Sequence, residues 1–504
     1  MRLFRKLIPW LVIACSLAVI IYLPDIGPER YTDFATMFRH ERSRQANAGY
    51  SVVICRNGSV FYQESFGRDG SGQPLAKDTP MYLGPSSEIL SGALLYSLTL
   101  RKSLSLDDDI RMYLPELPVS KIRNIKIDPE TATTPPTDQG KALTLRQLAS
   151  HSLNLSDQAL KNFGSRISGL EAGEFDPEKY LKSMFRPGTT VRSRLAYRIL
   201  GTVMENAEGM SFDELLQSRL LIPMEMHGTT ARPDSLQGVA TGSGLFFGLS
   251  FPYDSTVPYI AAPADGIVST SEDIAKFLSY ITAPPKNGIK SLPASSVAGL
   301  YQPLLSGGDT GFGWRILTKE GNRLVYQGGS VEGFSSRMVI WPERNAAIAI
   351  LSAQGGFVQS NIVLPLLTSA AEKMLFTGSS PRLFPISRIL FIIGISLAVY
   401  VISLLLQTAT ALSWTKTLRD RRETSHSDTF QNFVLLRTFA GLALRAAFLI
   451  SAPLLLGRLI GKPLVYHDLL AVEPGGSTLF IIAMLAGIMR NAVRMLWFVH
   501  FERG

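Results

Sequence analysis

The chain has 504 residues, of which 46% are hydrophobic and only 18% charged, with a formal net charge of +9. The length exceeds one ordinary domain, and the composition excludes a disordered chain and points to membrane content. Two cysteines exclude a disulfide-dense scaffold and a cysteine zinc cluster.

Leu7 to Leu23 is an apolar run preceded by Arg2, Arg5 and Lys6. It reads as a signal peptide or an uncleaved membrane anchor, residues 1–26, and the lack of a following A-x-A cleavage site favours the anchor. Val12-Ile13-Ala14-Cys15 resembles a lipoprotein box only superficially, since Cys15 lies inside the apolar run.

Residues 27–383 form the next unit. Tyr50 to Phe66 contains two β-rich runs joined by Asn57-Gly58, a hairpin signal. Residues 88–103 read as a helix with Leu90, Leu94, Leu95 and Leu98 on one side. Helical stretches alternate with Pro/Gly-rich loops up to about residue 300. Short β-rich runs then return at Phe312–Leu317, Arg323–Tyr326, Ser335–Trp341 and Ala346–Ser352. Strands at both ends with helices between them predict an α+β domain, one sheet closed by both termini.

Residues 384–504 carry three further apolar runs, Ile389–Leu406, Phe439–Leu459 and Thr478–Phe498. Each is long enough to cross about 30 Å of hydrocarbon. The charge excess sits around these segments: residues 1–26 carry a net +2, residues 384–504 a net +6 and the middle only +1. A balanced middle argues against a nucleic-acid surface. Lys416, Arg419, Arg421 and Arg422 follow the first run, and Arg490, Arg494 and Arg503 mark the end of the last. The positive-inside rule then gives a multi-pass protein of the bacterial inner (cytoplasmic) membrane. The N-terminus, the 410–432 loop and the C-terminus face the cytoplasm, and the main domain is extracytoplasmic or periplasmic. Arg445 falls within the second run, where a charge either snorkels, pairs with a neighbouring helix or marks a functional site.

Six segments of the middle unit occur in an order that resembles a known family. They are Leu104-Ser105-Leu106-Asp107-Asp108 with Tyr113-Leu114-Pro115-Glu116, then Leu145 to Ser152, then Pro187-Gly188-Thr189 with Ala196 to Gly201. Pro223 to Met226, Ala264 to Thr270 and Gly328 to Ser336 complete the set. Together they resemble the serine β-lactamase and penicillin-binding-protein-like hydrolases, in the class C branch, over roughly residues 35–375. The resemblance implies a β-lactamase/transpeptidase-like fold, an antiparallel sheet flanked by helices with a helical subdomain. With one N-terminal and three C-terminal transmembrane helices, the whole chain also resembles the membrane-bound peptidases that mature secondary-metabolite pro-drugs, the colibactin-activating peptidase among them.

The family's chemistry requires a serine and, three residues later, a lysine at a helix start, so that one helical face presents nucleophile and base. The resemblance puts that motif at Pro85-Ser86-Ser87-Glu88. Proline supplies neither an attacking oxygen nor a backbone N–H for the oxyanion hole. The Tyr-x-Asn motif falls on Arg192-Ser193-Arg194, or on Ser193-Arg194-Leu195 when counted from Pro187, without a tyrosine or an asparagine. The third motif reads Gln327-Gly328-Gly329, followed by Ser330, where the family carries an ionisable residue in place of Gln327.

The pocket is therefore expected to be degenerate, with no catalytic residue. Its members are Pro85, Ser86, Ser87, Glu88, Arg192, Ser193, Arg194, Gln327, Gly329 and Ser330. Ser86 and Ser87 point elsewhere on the helix, each residue turning the side chain by about 100°. Glu88 is expected to pair with Arg192 or Arg194, because a buried carboxylate needs a cationic partner. His151 is expected to support the fold, and no histidine shows ligand spacing, so neither metal nor cofactor is implied. The reading is a membrane-anchored pseudoenzyme whose partners are the lipid bilayer and a peptide-like ligand or a protein, with no nucleic acid. The alternative is an active serine-hydrolase-type peptidase or esterase with altered chemistry, for instance in maturation of a secondary-metabolite precursor.

Overall fold

The structure is a computed structural model that describes residues 30–115, 144–152, 194–386, 436–451 and 474–503, apart from a few positions within those ranges, together with scattered positions between 389 and 402. The Leu7–Leu23 run lies outside the described residues, as do parts of the first two C-terminal runs.

Six antiparallel strands form the central sheet. They are β1 (Gly49–Arg56), β2 (Ser59–Gly67), β3 (Arg315–Lys319), β4 (Asn322–Val331), β5 (Phe334–Trp341) and β6 (Ala346–Ser352). Their spatial order is β2-β1-β6-β5-β4-β3, so the last strand of the sheet in sequence pairs with the first. Ile350 faces Val52 in that pairing. The β1–β2 turn places Asn57 and Gly58 at φ 51° and 77°. Two successive positive φ values are what a two-residue hairpin needs to follow the strand twist. Glu332 and Gly333 make the β4–β5 turn in the same way.

The sheet is covered on both faces. Tyr50, Val52, Ile54, Val339, Trp341, Ile348 and Ile350 pack on one side. That side is covered by α1 (Phe34–Arg44) and by a C-terminal helix of the domain, Leu364–Thr377. Val53, Cys55, Met338, Ile340, Ala347, Ala349 and Leu351 face the larger core on the other. Burial on both faces explains why β1 and β6 read as continuous apolar runs instead of alternating ones. The β-rich run at Phe312–Leu317 is shifted: Phe312 and Gly313 belong to a loop, and the strand is Arg315–Lys319.

The larger core is built around α2 (Ser87–Leu100), with α3 (Leu145–Ala149), α4 (Arg194–Glu208), α5 (Phe212–Leu216) and α6 (Ser271–Thr282) around it. The predicted one-sided leucine stripe understates α2. Leu90, Leu94, Leu95 and Leu98 are buried, but so are Glu88, Ile89, Ser91, Gly92, Ala93 and Ser97. A helix enclosed on nearly every side needs small residues where backbone approaches it. A Cβ on Gly92 would lie 2.4 Å from the backbone carbon of Phe312, and one on Gly313 (φ 74°) would lie 2.0 Å from the Glu88 carbonyl oxygen. The 312–313 loop therefore lies directly on the α2 backbone.

Among the described residues no helix is long and apolar enough to cross a membrane. The third C-terminal run falls on a 30-residue helix, Pro474–Arg503. Arg445, in the second run, donates to the Gly441 carbonyl at 3.0 Å. Its side chain lies against Gly487 of the Pro474–Arg503 helix. That arrangement is packing against a neighbouring helix, one of the roles open to this charge in the sequence.

Gly92→Ala is expected to destabilise the protein by about 1–3 kcal/mol or more, because backbone, not a flexible side chain, must move. Thermal or urea unfolding of the purified variant measures this, and an unchanged midpoint would contradict the packing described.

Candidate functional site

The site forms where the start of α2 meets β4 and β5. Met81–Tyr82 pairs with Val268–Ser269, and the Leu83 N–H donates to the Ile267 carbonyl at 2.8 Å. Gly84 then turns at φ 55°, a left-handed conformation that favours glycine, and leads through a short 3-10 turn into α2. Pro85 is the second residue of that turn, still within the first turn, where its missing N–H has no intrahelical acceptor to serve. Its ring rests on β4: a Cβ on Gly329 would lie 2.5 Å from Pro85 Cγ. The proline ring thus needs a glycine opposite it, and Gly329 supplies one.

Ser86 and Ser87 have no exposed surface. The hydroxyls of Ser86 and Ser336 share a hydrogen bond of 2.6 Å, and Ser336 also donates to the Leu83 carbonyl. The register that sets Ser336 opposite Gly329 places it there. Ser87 Oγ accepts from the Ile267 N–H at 3.1 Å. Both serines act as struts between the start of α2 and its neighbours, and neither hydroxyl is hydrogen-bonded to a basic side chain in those contacts.

Glu88 is 3% exposed. Gln327 Nε2, from β4, donates to Glu88 Oε2 at 2.6 Å. His151 Nε2 lies 3.3 Å from the same oxygen. His151 follows α3 at φ 54° and stacks on Tyr197 of α4 at 5.3 Å between ring centroids. The capping box of Thr144 and Gln147 fixes the start of α3 and so the placement of His151. Glu88 also lies in the first turn of α2, where the helix dipole favours a negative charge.

The expected pairing of Arg194 with Glu88 does not form. Arg194 Nη1 lies 3.1 Å from Asp265 Oδ2, and its Nη2 donates to the Ser330 carbonyl at 2.9 Å. Arg198, one turn further along α4, reaches the same carboxylate at 3.2 Å. The physical reason is competition: Asp265 is 1% exposed and lies beside the start of α4, so it takes the nearest guanidinium groups. Arg192 and Ser193 lie outside the described residues. Ser330 Oγ donates to the Phe334 carbonyl at 2.8 Å and accepts from the Gly356 N–H at 2.7 Å, which fixes the end of β4.

Asp265, Arg198 and the His151–Glu88 contact are the features that sequence reasoning missed. Two of them left a signal. Asp265 stands where the resembled motif has glycine, and Arg198 is a charge inside the apolar stretch Ala196–Gly201. An acid and a base, both departing from one pattern, form the pair. Glu332, in the β4–β5 turn, completes the charge group. Burial, and then the Asp265 carboxylate, push its carboxyl above the usual range, with Arg194 opposing them.

The described residues thus bring together Pro85, Ser86, Ser87, Glu88, Gln327, Gly329, Ser330 and Arg194. They supply hydrogen bonds, an amide and a guanidinium group, but no exposed hydroxyl beside a base. Among the described residues no group of three or more His, Cys, Asp or Glu side chains is arranged to hold a metal ion.

Two outcomes follow. Gln327→Leu removes a donor from a buried carboxylate and should cost about 1.5–3 kcal/mol in an unfolding titration; no loss would show that Glu88 does not depend on it. Glu332→Gln tests the charge group through pH. A carboxyl raised in the folded state stabilises the fold below its unfolded pKa, and that contribution is lost as pH rises through the folded value. The variant should therefore melt higher than the parent at neutral pH and alike in acid. A midpoint lowered at neutral pH would mean that the Arg194 attraction dominates.

Comparison with known proteins bears on the fold that carries this site. A family model described as Beta-lactamase matches residues 34–371. Protein flp of Staphylococcus aureus (strain MW2) is 21% identical over 327 residues, covering 63% of this chain and 62% of that protein. Beta-lactamase-like protein 4 of Dictyostelium discoideum is 20% identical over 381 residues, covering 68% and 64%. The chain thus spans less than two thirds of either relative's length. Among solved structures, the octameric penicillin-binding protein homologue from Pyrococcus abyssi is similar with a TM-score of 0.51 at 20% identity, over 67% of this chain and 75% of that one. SurE is similar with a TM-score of 0.51 at 20% identity, over 68% and 74%. These structural likenesses establish the fold, and the family model spans well over half of the sequence. The chain belongs to the β-lactamase family of serine β-lactamase and penicillin-binding-protein-like folds.

Proposed function

We propose that this chain is a membrane-anchored member of the family that binds without hydrolysing, at the outer face of the bacterial inner membrane. Its ligand is a peptide-like molecule or a partner protein. The observation that carries the reading is the substitution at the start of α2. Pro85 and Glu88 stand where the resembled motif has its serine and lysine, and the ring of Pro85 is seated on Gly329. Hydrolysis on this frame would lack the attacking oxygen and one oxyanion donor, and losing one such donor alone costs about 10²–10³ in rate. Ser86 and Ser87 are fully buried and hydrogen-bonded to the surrounding frame, which speaks against a rewired nucleophile.

The anchored part of the reading rests on the sequence. Four apolar runs carry basic residues at the ends assigned to the cytoplasm. An exported hydrolase-fold domain joined to such runs also suggests ligands related to secondary-metabolite precursors, held instead of cleaved.

The test uses membranes from cells expressing the full chain. Alkaline carbonate washing should leave the protein in the membrane fraction; release by carbonate overturns the anchored part. The retained protein, treated with a fluorophosphonate or a penicillin probe, should stay unlabelled in peptide mass spectrometry. Covalent labelling at Ser86 or Ser87 would instead establish an active hydrolase with altered chemistry.

A further inference from the structure

Gly242–Phe246 and Leu249–Tyr253 pair as an antiparallel hairpin outside the central sheet. Its root is fixed to the rim of the candidate site. The Ser243 N–H donates to the Gly333 carbonyl at 2.9 Å, and the Gly355 N–H donates to the Ser243 carbonyl at 2.8 Å. Ser255, just past the second strand, donates its hydroxyl to the Glu332 carbonyl. The hairpin therefore grows from the β4–β5 turn.

The second strand is exposed at every residue. Side chains alternate along a strand, so Leu249, Phe251 and Tyr253 share one face. They are 59%, 37% and 40% exposed. The register sets Gly244 opposite Phe251 and Gly242 opposite Tyr253. A Cβ on Gly244 would lie 2.4 Å from Phe251 Cζ, so the Phe251 ring lies across that glycine. An apolar face turned outward in this way marks an interaction surface. Residues 235–253 contain no charged side chain, so the segment offers nothing for a charged partner to pair with.

Two observations choose the occupant. The Gly242–Phe246 strand lies against the Pro474–Arg503 helix, which carries the third apolar run. The face thus stands next to a segment that the anchored reading places in the bilayer. The free edge of the hairpin is also blunted. Ser243 directs its N–H and carbonyl to Gly333 and Gly355, so it exchanges no hydrogen bond with Pro252 opposite. The backbone nitrogen of Pro252 then faces the outer edge. Proline has no N–H to offer there, which disfavours a second copy adding a strand. It also leaves one backbone donor fewer to go unpaired against lipid.

We propose that Leu249, Phe251 and Tyr253 seat in the boundary between headgroups and acyl chains of the outer leaflet. Aromatic rings favour that depth, and an apolar face beside polar neighbours lies in the interface without crossing it. The proposal rests on the membrane-anchored reading. It gives the extracytoplasmic domain its own contact with the membrane and holds the candidate site, whose rim carries the hairpin, beside the lipid surface.

The test uses the full chain with Cys15→Ser and Cys55→Ala, reconstituted in phosphatidylcholine vesicles. Leu249→Cys then carries an environment-sensitive fluorophore. Its emission should shift to shorter wavelength and be quenched when the vesicles contain nitroxide-labelled lipid. Ser59→Cys is the control. Ser59 pairs with Arg56, and Arg56 with Ala346, at the end of β5 that lies about 24 Å from the hairpin root. A label there should show neither the shift nor the quenching. Tyr253→Cys gives a second reading should Leu249→Cys not fold. Equal behaviour of the labels at 249 and 59 overturns the proposal. A shift that grows with the protein-to-lipid ratio, without quenching by lipid, would assign the face to a second copy and overturn the bilayer as occupant. Release of the chain by alkaline carbonate would remove the anchored reading together with this contact. Retention with an unquenched label at 249 would remove only the contact.

Discussion

Glu88 is a carboxylate with 3% exposure in the first turn of a helix that is enclosed on nearly every side. Burying such a group without partners costs several kcal/mol, or else the group takes up a proton. The surrounding frame supplies one hydrogen-bond donor and one close imidazole contact from separate parts of the chain. Gln327 comes from the sheet, 239 residues away, and His151 comes from the loop after α3. The requirement to satisfy one oxygen therefore ties the helical layer to the sheet. It also explains why Gln327, a neutral donor, suits the position where the resembled motif has a charged residue: it satisfies Glu88 without adding a charge beside His151.

The same region shows how substitutions are coupled by packing. Pro85 requires glycine opposite its ring, and Gly329 meets that need. Ser336 reaches Ser86 because the β4–β5 register sets it beside Gly329. Asp265 stands in place of a glycine and holds Arg194 and Arg198, so the start of α4 is fixed by an ion-paired group. Among the described residues, Pro85, Glu88, Asp265 and Arg194 each meet a partner on another element.

Much of the fold was legible in the sequence. Asn57-Gly58 marked the first hairpin, and Ala346–Ser352 is a strand with the bounds its β-rich run gave. Local signals suffice there, because turn chemistry and β-branched runs act over a few residues. The shift of the 312–317 run came from a tertiary demand: Phe312 and Gly313 are needed as a loop against Gly92, which no local propensity encodes. The one-sided leucine stripe of α2 understated its burial for the same reason, since a helix covered on nearly every face gives no single apolar face to read.

For the site, the sequence by itself determined what residues 85 and 88 can supply. Proline at position 85 has no nucleophile and no N–H, and glutamate at position 88 has the opposite charge to lysine; both facts follow from residue type. It also fixed the uneven placement of basic charge around the apolar runs. Only the tertiary structure decided the pairings. Whether Arg194 meets Glu88 or Asp265 depends on distances between segments about 70 to 140 residues apart, which spacing cannot supply. Whether Ser86 and Ser87 are available depends on what covers them, and they are covered by Ser336 and Ile267, brought in by sheet register and by the Met81–Tyr82 pairing.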